Sequence, residues 1–291
     1  MLQQKTSFYL KLLAPGLVCL LLFTYLPLGR SLFDSLYDAR MVSDGSHFVG
    51  LNNYLRLFED SQFIAAVINN LIYLCGTVIP GMLLALLLAL LLKANTRFNR
   101  WLRAAFFFPT IVPLVAAASL WSFIFMPGVG LFDYYIGHWF GGSHNFLGHQ
   151  STALAALIVI SIWKFSGYYM IFFLAGLQSI PDDAMEAAQI EGASAWHCFW
   201  HITLPLLRPT ITFVAIVSLV YAVTQIDHVV IMTNGGPVNS TTVLLHYIQA
   251  TAMETQDLGK ASAATFLTVA VLFAVSWVNL KVIDRGTHYE R

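Results

Sequence analysis

Six stretches of this 291-residue chain each contain about 20 or more mostly apolar residues, the length that a helix needs to cross a bilayer. The most apolar run is MLLALLLALLL, residues 82–92, which shows no alternation of apolar and polar side chains. Strands of a transmembrane barrel alternate with period two, so these continuous runs favour helices. The six predicted spans are residues 8–28, 64–92, 101–126, 151–177, 204–232 and 261–283.

The composition excludes several other classes of protein. Hydrophobic residues make up 58% of the chain and charged residues only 10%, whereas a soluble domain has about 45–50% and about 25%. Lysine plus arginine number 15, as do aspartate plus glutamate, so the basic surplus typical of nucleic-acid binding is missing. The high hydrophobicity also excludes a disordered chain. The sequence therefore predicts an all-α membrane protein with several spans.

The positions of the basic residues predict the orientation of the spans, because cytoplasmic loops are rich in lysine and arginine. If the N-terminus is cytoplasmic, ten basic residues fall on the inner side: Lys5, Lys11, Lys93, Arg97, Arg100, Arg103, Arg208, Lys281, Arg285 and Arg291. Four fall on the outer side: Arg30, Arg40, Arg56 and Lys260. This bias predicts that both termini are cytoplasmic.

The segment between spans 4 and 5, residues 179–205, departs from this charge pattern. It should be cytoplasmic, yet it contains no lysine or arginine, the next cation along the chain being Arg208, and it carries four acidic residues: Asp182, Asp183, Glu186 and Glu191. Ser179 followed by Pro181 and Asp182 is a pattern typical of a helix start. Gly192 predicts the end of that helix, because glycine tolerates the left-handed conformation. We call this segment the cytoplasmic hairpin.

A second short helix is predicted in the cytoplasmic hairpin from Ser194 to His201. Trp196, Phe199 and Trp200 have the spacing that places three side chains on one helix face. An aromatic face on a cytoplasmic segment has to pack on its own bundle or on another protein. The sequence leaves open whether the cytoplasmic hairpin is a capped surface connection or a docking element for a cytoplasmic partner.

Residues 186–205, EAAQIEGASAWHCFWHITLP, resemble the EAA pattern of ATP-binding-cassette (ABC) importer permeases. The matching positions, all in register, are Glu186, Ala187, Ala188, Gly192, Ile202, Leu204 and Pro205. Three other segments resemble the maltose-type sugar permease branch of that family: FVGLNNYLRLF at 48–58, LAGLQSIP at 174–181 and TNGGP at 233–237. The resemblance covers nearly the whole chain, although Asp133 stands where this branch often has asparagine.

This resemblance implies a type I ABC importer permease fold, with residues 1–291 forming a single transmembrane domain in the bacterial inner membrane. It implies that the EAA residues transmit ATPase movement, with Gly192 as a hinge between two coupling helices and Pro205 as a stiff entry to span 5. The implied partners are a second permease subunit, two ATPase subunits and an extracytoplasmic solute-binding protein. ATP and magnesium would bind to the ATPase subunits, so this chain is expected to be neither an enzyme nor a cofactor carrier.

Polar residues inside the spans are candidates for the solute path, because they are expensive in a bilayer. Lys164 lies in the middle of span 4, with Tyr168 and Tyr169 one turn further on; Gln225 and Asp227 lie in span 5. Aromatic faces and hydroxyls suit a sugar. The alternative is a structural lysine that pairs with Asp227, Gln225 or a neighbouring subunit.

Two other functions remain open from the sequence. A cation at position 164 would also suit glycerol phosphate or another phosphorylated polyol. An ion-coupled secondary transporter, with Asp227 and His228 carrying protons, would leave the EAA register unexplained. His197 and His201 have the i, i+4 spacing of zinc ligands, but no third ligand accompanies them, so no metal site is predicted.

Overall fold

The computed structural model describes residues 12–39, 47–140 and 145–284, and this part of the chain is mostly helical. Its N-terminal half contains α1 (Leu12–Ser35), β1 (Tyr37–Asp38), β2 (His47–Phe48), α2 (Asn52–Glu59), α3 (Ser61–Leu91), α4 (Arg97–Ile111), α5 (Leu114–Ile124) and α6 (Leu131–Phe140). The remainder contains α7 (Gln150–Gln178), α8 (Asp182–Ile190), α9 (Ala195–Cys198), α10 (Leu204–Leu206), α11 (Arg208–Thr224), α12 (Asp227–Met232), α13 (Leu244–Met253) and α14 (Leu258–Asp284). One π-helical turn lies within α1, at Leu21–Tyr25, and another, Phe199–Thr203, joins α9 to α10.

Five segments of the described chain are long and apolar enough to cross a membrane as single helices, and a sixth is a bent pair. The five are Leu12–Ser35, Ser61–Leu91, Gln150–Gln178, Arg208–Met232 and Leu258–Lys281. Each overlaps a predicted span, so the predicted all-α fold with six transmembrane segments is confirmed. The predicted start of span 1, at residues 8–11, lies outside the described residues.

Span 3, predicted at residues 101–126, is divided into two helices at Val112 and Pro113, one of the prolines in this span that can kink a helix. It consists of α4 and α5, which meet at an angle of 96°. Val112 is extended (ψ 129°), as expected for a residue before proline, and Pro113 precedes the first residue of α5. The break leaves the last carbonyl groups of α4 without helical partners inside an apolar segment.

The chain divides into two compact units, of which the first comprises the described parts of Met1–Ile64 and Tyr247–Val271. In this unit β1 and β2 form an antiparallel pair, Tyr37 opposite Phe48. The buried amide of Asn53 donates to the carbonyls of Ser35 (2.9 Å) and Tyr37 (2.8 Å). A Cβ atom at residue 259 would lie 2.3 Å from the Tyr37 carbonyl oxygen, so glycine is required there. The predicted single domain, residues 1–291, stays a prediction.

Two ion pairs lie within the first unit, among residues predicted to be on the outer side of the membrane. Arg56 contacts Asp257 at 2.8 Å, and Lys260 contacts Asp60, which also accepts a hydrogen bond from Tyr247 at 2.7 Å. Burial by itself would raise the pKa of Asp60. The hydrogen bonds from Lys260, Tyr247 and the Gln62 backbone outweigh it, so this pKa lies below its ordinary value of 3.8.

The second unit, Ala65–His246 with Leu272–Arg291, contains most of the membrane-spanning helices. Helices α3, α7 and α11 share a core in which small alanines of α3 face large side chains of α7; its buried members are Ala85, Leu88, Ala89, Leu92, Tyr169, Met170, Phe173, Leu174 and Val214. Helix α4 crosses α7 so closely at Gly167 that a Cβ atom there would lie 1.8 Å from the Phe106 carbonyl oxygen. This packing sets the positions of the polar groups described next.

Candidate functional site

The cytoplasmic hairpin is a pair of short helices, as predicted, but its first helix begins without the predicted serine cap. Helix α8 starts at Asp182, and the hydroxyl of Ser179 donates to the Gly176 carbonyl at 2.8 Å. Ser179 therefore terminates α7 instead of capping α8. The second helix, predicted as 194–201, is α9 at Ala195–Cys198, followed by the π turn. Ser194 caps α9 by accepting a hydrogen bond from the His197 backbone (3.3 Å).

Gly192 has the backbone conformation that its position in the sequence predicts. Its φ is +79°, and the Ala193 amide donates to the Ala188 carbonyl at 2.9 Å, as in a Schellman motif. No atom lies within 4 Å of a Cβ atom built at this position. The requirement for glycine is therefore conformational, because the site has space for a side chain.

The EAA residues divide into an exposed and a partly buried group. Glu186 and Ala187 are exposed on α8, while Ala188 is buried. Ile202, Leu204 and Pro205 are half-buried where the π turn leads into α10. Such a distribution presents the acidic group outward and ties the apolar residues to the bundle.

Three aromatic rings of the cytoplasmic hairpin contact one another. The ring centroids of Trp196 and Trp200 are 5.6 Å apart, and those of Phe199 and Trp200 are 5.4 Å apart. Trp196 is 71% exposed, Trp200 47% and Ile190 87%. Large apolar side chains with this exposure form a surface suited to another protein.

The cytoplasmic hairpin stands on two helices that pack tightly. A Cβ atom at Gly176, near the end of α7, would lie 2.4 Å from the Thr210 hydroxyl on α11. Leu207, between the cytoplasmic hairpin and α11, is fully buried. Close packing therefore ties the base of the cytoplasmic hairpin to α7 and α11.

Lys164 is buried, and its ammonium lies at the break in span 3. Within the described residues its Nζ donates to the carbonyls of Val112 (2.6 Å), Pro109 (3.1 Å) and Thr110 (3.5 Å). In return, the Thr110 hydroxyl donates to the Lys164 carbonyl at 2.9 Å. The lysine thus caps the C-terminal end of α4, where a positive charge is favoured. These contacts favour the structural alternative, with carbonyl groups as the partners within the described residues, and the place of Lys164 in the solute path stays a prediction.

A small cavity lies between α3, α7 and α11. Its described lining residues are Tyr73, Thr77, Val78, Gly81, Ser161, Ile162, Phe165, Tyr169, Ser218, Tyr221 and Ala222. Six of them carry hydroxyl groups, and none of the described lining residues carries a charge. The space left between these side chains is about 10 Å³, room for about one water molecule at most.

The five residues predicted for the solute path are not all gathered at this cavity. Tyr169 lines it, and the ring of Tyr168 lies 5.9 Å from that of Tyr221. Gln225 follows the last residue of α11, and Asp227 is exposed at the first position of α12. Tyr73, Thr77 and Ser218 also line the cavity without having been predicted for the path; their signal in the sequence is a polar side chain within an apolar run.

The fold and this arrangement define a polytopic membrane permease with a cytoplasmic helix hairpin. Residues 81–288 match the family described as binding-protein-dependent transport system inner membrane component. The chain belongs to this family, and it is therefore a membrane-embedded importer subunit of the inner membrane, with ATP hydrolysis outside its own role. An ion-coupled secondary transporter, the other class considered, is not the family of this chain.

The chain is similar to known relatives over nearly its full length. The chain is 32% identical over 280 residues to the sn-glycerol-3-phosphate transport system permease protein UgpA of Escherichia coli (strain UTI89 / UPEC), covering 96% of this chain and 95% of that protein. UgpA of Yersinia pestis bv. Antiqua (strain Antiqua) is 31% identical over the same length.

Two solved structures share its fold. One is a bacterial alginate ABC transporter in complex with an alginate pentasaccharide-bound periplasmic protein, at 22% identity and a TM-score of 0.82, covering 95% of this chain and 93% of that one. The other is a bacterial ABC transporter involved in the import of the acidic polysaccharide alginate, at 23% identity and a TM-score of 0.83, covering 97% and 96%.

Proposed function

We propose that this chain is one of two permease subunits of an ABC importer, and that its cytoplasmic hairpin couples solute movement to ATP hydrolysis. The complete importer would contain a second permease, two ATPase subunits that bind ATP and magnesium, and an extracytoplasmic solute-binding protein. The observation that carries this proposal is the exposure of Glu186, Trp196 and Trp200 on a hairpin anchored by the packed ends of α7 and α11.

Within this proposal, Glu186 makes a charged contact with the ATPase, and the aromatic face fills an apolar cleft beside it. An interface charge that loses its partner can cost about 2–5 kcal/mol of binding free energy. Ala188, Ile202, Leu204 and Pro205 have a different role, because they are buried or half-buried. They transmit the movement to α11, while Ala187 allows close approach of the partner.

Gly192 provides the sharpest test of the coupling role. A leucine at φ +79° strains the backbone by roughly 1–2 kcal/mol, whereas asparagine tolerates the left-handed region. In the assembled importer we expect Gly192→Leu to abolish stimulation of the ATPase by loaded binding protein, and Gly192→Asn to retain most of it. Both variants should reach the membrane in normal amounts, because a Cβ atom there meets nothing. Normal uptake by Gly192→Leu would remove the coupling role.

The solute proposed for this importer is an uncharged, polyhydroxylated molecule, a sugar or a sugar-like compound. The cavity supports this class because its hydroxyl groups match the hydrogen-bonding needs of a sugar and its tyrosine rings offer stacking faces. The ammonium of Lys164, the cation that a phosphate would require, is already engaged with carbonyl groups.

A phosphorylated polyol is the second candidate, and the relatives named as sn-glycerol-3-phosphate permeases favour it. The two candidates are separated by a ligand screen on the cognate binding protein. Thermal shifts are measured with maltose, trehalose and sn-glycerol 3-phosphate, and uptake of each compound is then followed in cells that carry the complete importer. A shift and uptake with sn-glycerol 3-phosphate alone would overturn the uncharged-sugar assignment.

A further inference from the structure

A buried polar bridge joins three helices of the second unit. The phenol oxygen of Tyr73, on α3, lies 2.5 Å from the Ser161 hydroxyl on α7 and 2.8 Å from Nε2 of His228 on α12. Tyr73 is 3% exposed, Ser161 5% and His228 0%. These three residues are called the polar bridge below.

The positions of the protons in the polar bridge follow from the surroundings of the second ring nitrogen of His228, Nδ1. Nδ1 of His228 is buried and has no hydrogen-bond partner among the described residues. An orphaned N–H is rarer in proteins than an under-used acceptor, so the proton belongs on Nε2. The imidazole then donates to the Tyr73 oxygen, and the phenol O–H donates to Ser161. Both hydrogen-bonding functions of the phenol are therefore used within the bundle.

The polar bridge lies at the outer end of the cavity. With both termini cytoplasmic, α3 and α7 run inward and α11 runs outward into α12. On α3 the remaining cavity residues come after Tyr73, and on α7 they come after Ser161. On α11 they precede His228, which lies on α12. They include Thr77, Gly81, Phe165, Tyr169, Ser218 and Tyr221. Each of them is thus on the cytoplasmic side of the polar bridge.

We propose that the polar bridge is the outer gate of this cavity, and that Tyr73 is its gating residue while His228 is the positioning residue that holds the phenol in place. Opening requires the Tyr73 hydroxyl to exchange both partners for water or for hydroxyl groups of the incoming solute. A polyhydroxylated solute can supply the hydroxyl groups for this exchange. The inference rests on the proposed function, because the gate has a role only if the cavity is part of the solute path.

The experiment measures access to the cavity from outside. Thr77→Cys is placed in an importer whose Cys19, Cys75 and Cys198 have been replaced by serine, since Cys75 is exposed. The probe is 2-(trimethylammonium)ethyl methanethiosulfonate, which does not cross the membrane, added to spheroplasts. We expect Tyr73→Phe to raise the labelling rate about tenfold, as the loss of buried hydrogen bonds predicts. His228→Leu should do the same, and His228→Gln, which keeps an N–H donor, should stay slow.

Two controls separate a gate from a general loosening of the bundle. Tyr169→Phe removes another phenol from the same cavity and should leave labelling at position 77 unchanged. Ala89→Cys reports on a fully buried site of the same helix and should stay unlabelled when Tyr73 is replaced. Equal labelling with tyrosine and with phenylalanine at position 73, or parallel labelling at position 89, overturns the gate. If the unmodified importer takes up solute but Tyr73→Phe leaves the labelling rate unchanged, the gate alone is refuted. If Tyr73→Phe raises the labelling rate but the unmodified importer takes up no solute, the proposed function is refuted.

Discussion

Replacement of Lys164 tests whether a buried cation in a span serves the backbone or the solute. Lys164→Met keeps an unbranched apolar stem but removes the ammonium from the carbonyls of Val112 and Pro109, 2.6 and 3.1 Å away. Lys164 is buried in the bundle, so both carbonyls lose their partner, at about 1–3 kcal/mol each. The methionine no longer requires a buried charge, which offsets part of this cost. We expect a net loss of about 2–4 kcal/mol in the free energy of unfolding.

This loss corresponds to a fall of about 5–15 °C in Tm, at roughly 2–4 °C per kcal/mol for a chain of this size. The assay follows the monodisperse chromatography peak of the fluorescently tagged permease after heating. Lys164→Gln, whose amide can still donate to carbonyls, should recover about half of the loss. Lys93→Met, the same change at an exposed position, is the matched control and should shift Tm by less than about 1 °C.

Two results would refute the structural role of Lys164. One is a Tm for Lys164→Met equal to that of Lys93→Met. The other is a raised KM for solute uptake without any loss of stability, which would assign the ammonium to the solute. The carbonyl contacts predict the opposite order, with stability falling first and uptake failing as a consequence of misfolding.

Two further predictions concern a helix crossing in the second unit and an ion pair in the first. Gly167→Ala places a Cβ atom 1.8 Å from the Phe106 carbonyl oxygen and should lower Tm by several degrees, whereas Gly16→Ala, which meets no atom within 4 Å, should not. The lowered pKa of Asp60 means that its contacts stabilise the protein above pH 3.8 and lose this effect as pH falls through the still lower folded value. The difference in Tm between wild type and Asp60→Asn should therefore be constant from pH 5 to 8 and shrink only below about pH 3.8; a difference that shrinks near pH 6 contradicts this account.

The sequence predicted those features that depend on nearby residues. The apolar runs located the spans, and Gly192 located the end of α8, because a left-handed C-terminus is a local property of the backbone. The cap of α8 was predicted wrongly, since Ser179 lies between two helices and its hydroxyl joined the one before it. One serine at a junction satisfies a capping pattern in either direction, and local sequence does not decide between them.

The sequence did not predict which helix faces contact each other. Tyr73 and His228 are 155 positions apart, and neither residue indicates that its side chain points to the other. Span 3 bends by 96° next to Pro113, and Lys164, in a different helix, caps the broken end, a contact that the sequence does not indicate. Hydrophobic periodicity carries little information on such contacts, because in a membrane bundle the lipid-facing and core-facing sides are both apolar.

Two cations of this chain, Arg103 and Lys164, lie where helices end. Arg103 was counted as an orientation signal, yet its guanidinium donates to the carbonyls of Leu92 (3.0 Å) and Lys93 (3.1 Å), just beyond the end of α3. Lys164 does the same for α4. The last carbonyl groups of a helix have no intrahelical donor, and near the bilayer water replaces that donor poorly. A cation inside a span is therefore better tested first against the nearest helix C-terminus, and assigned to a transported anion only when those carbonyl groups are already satisfied.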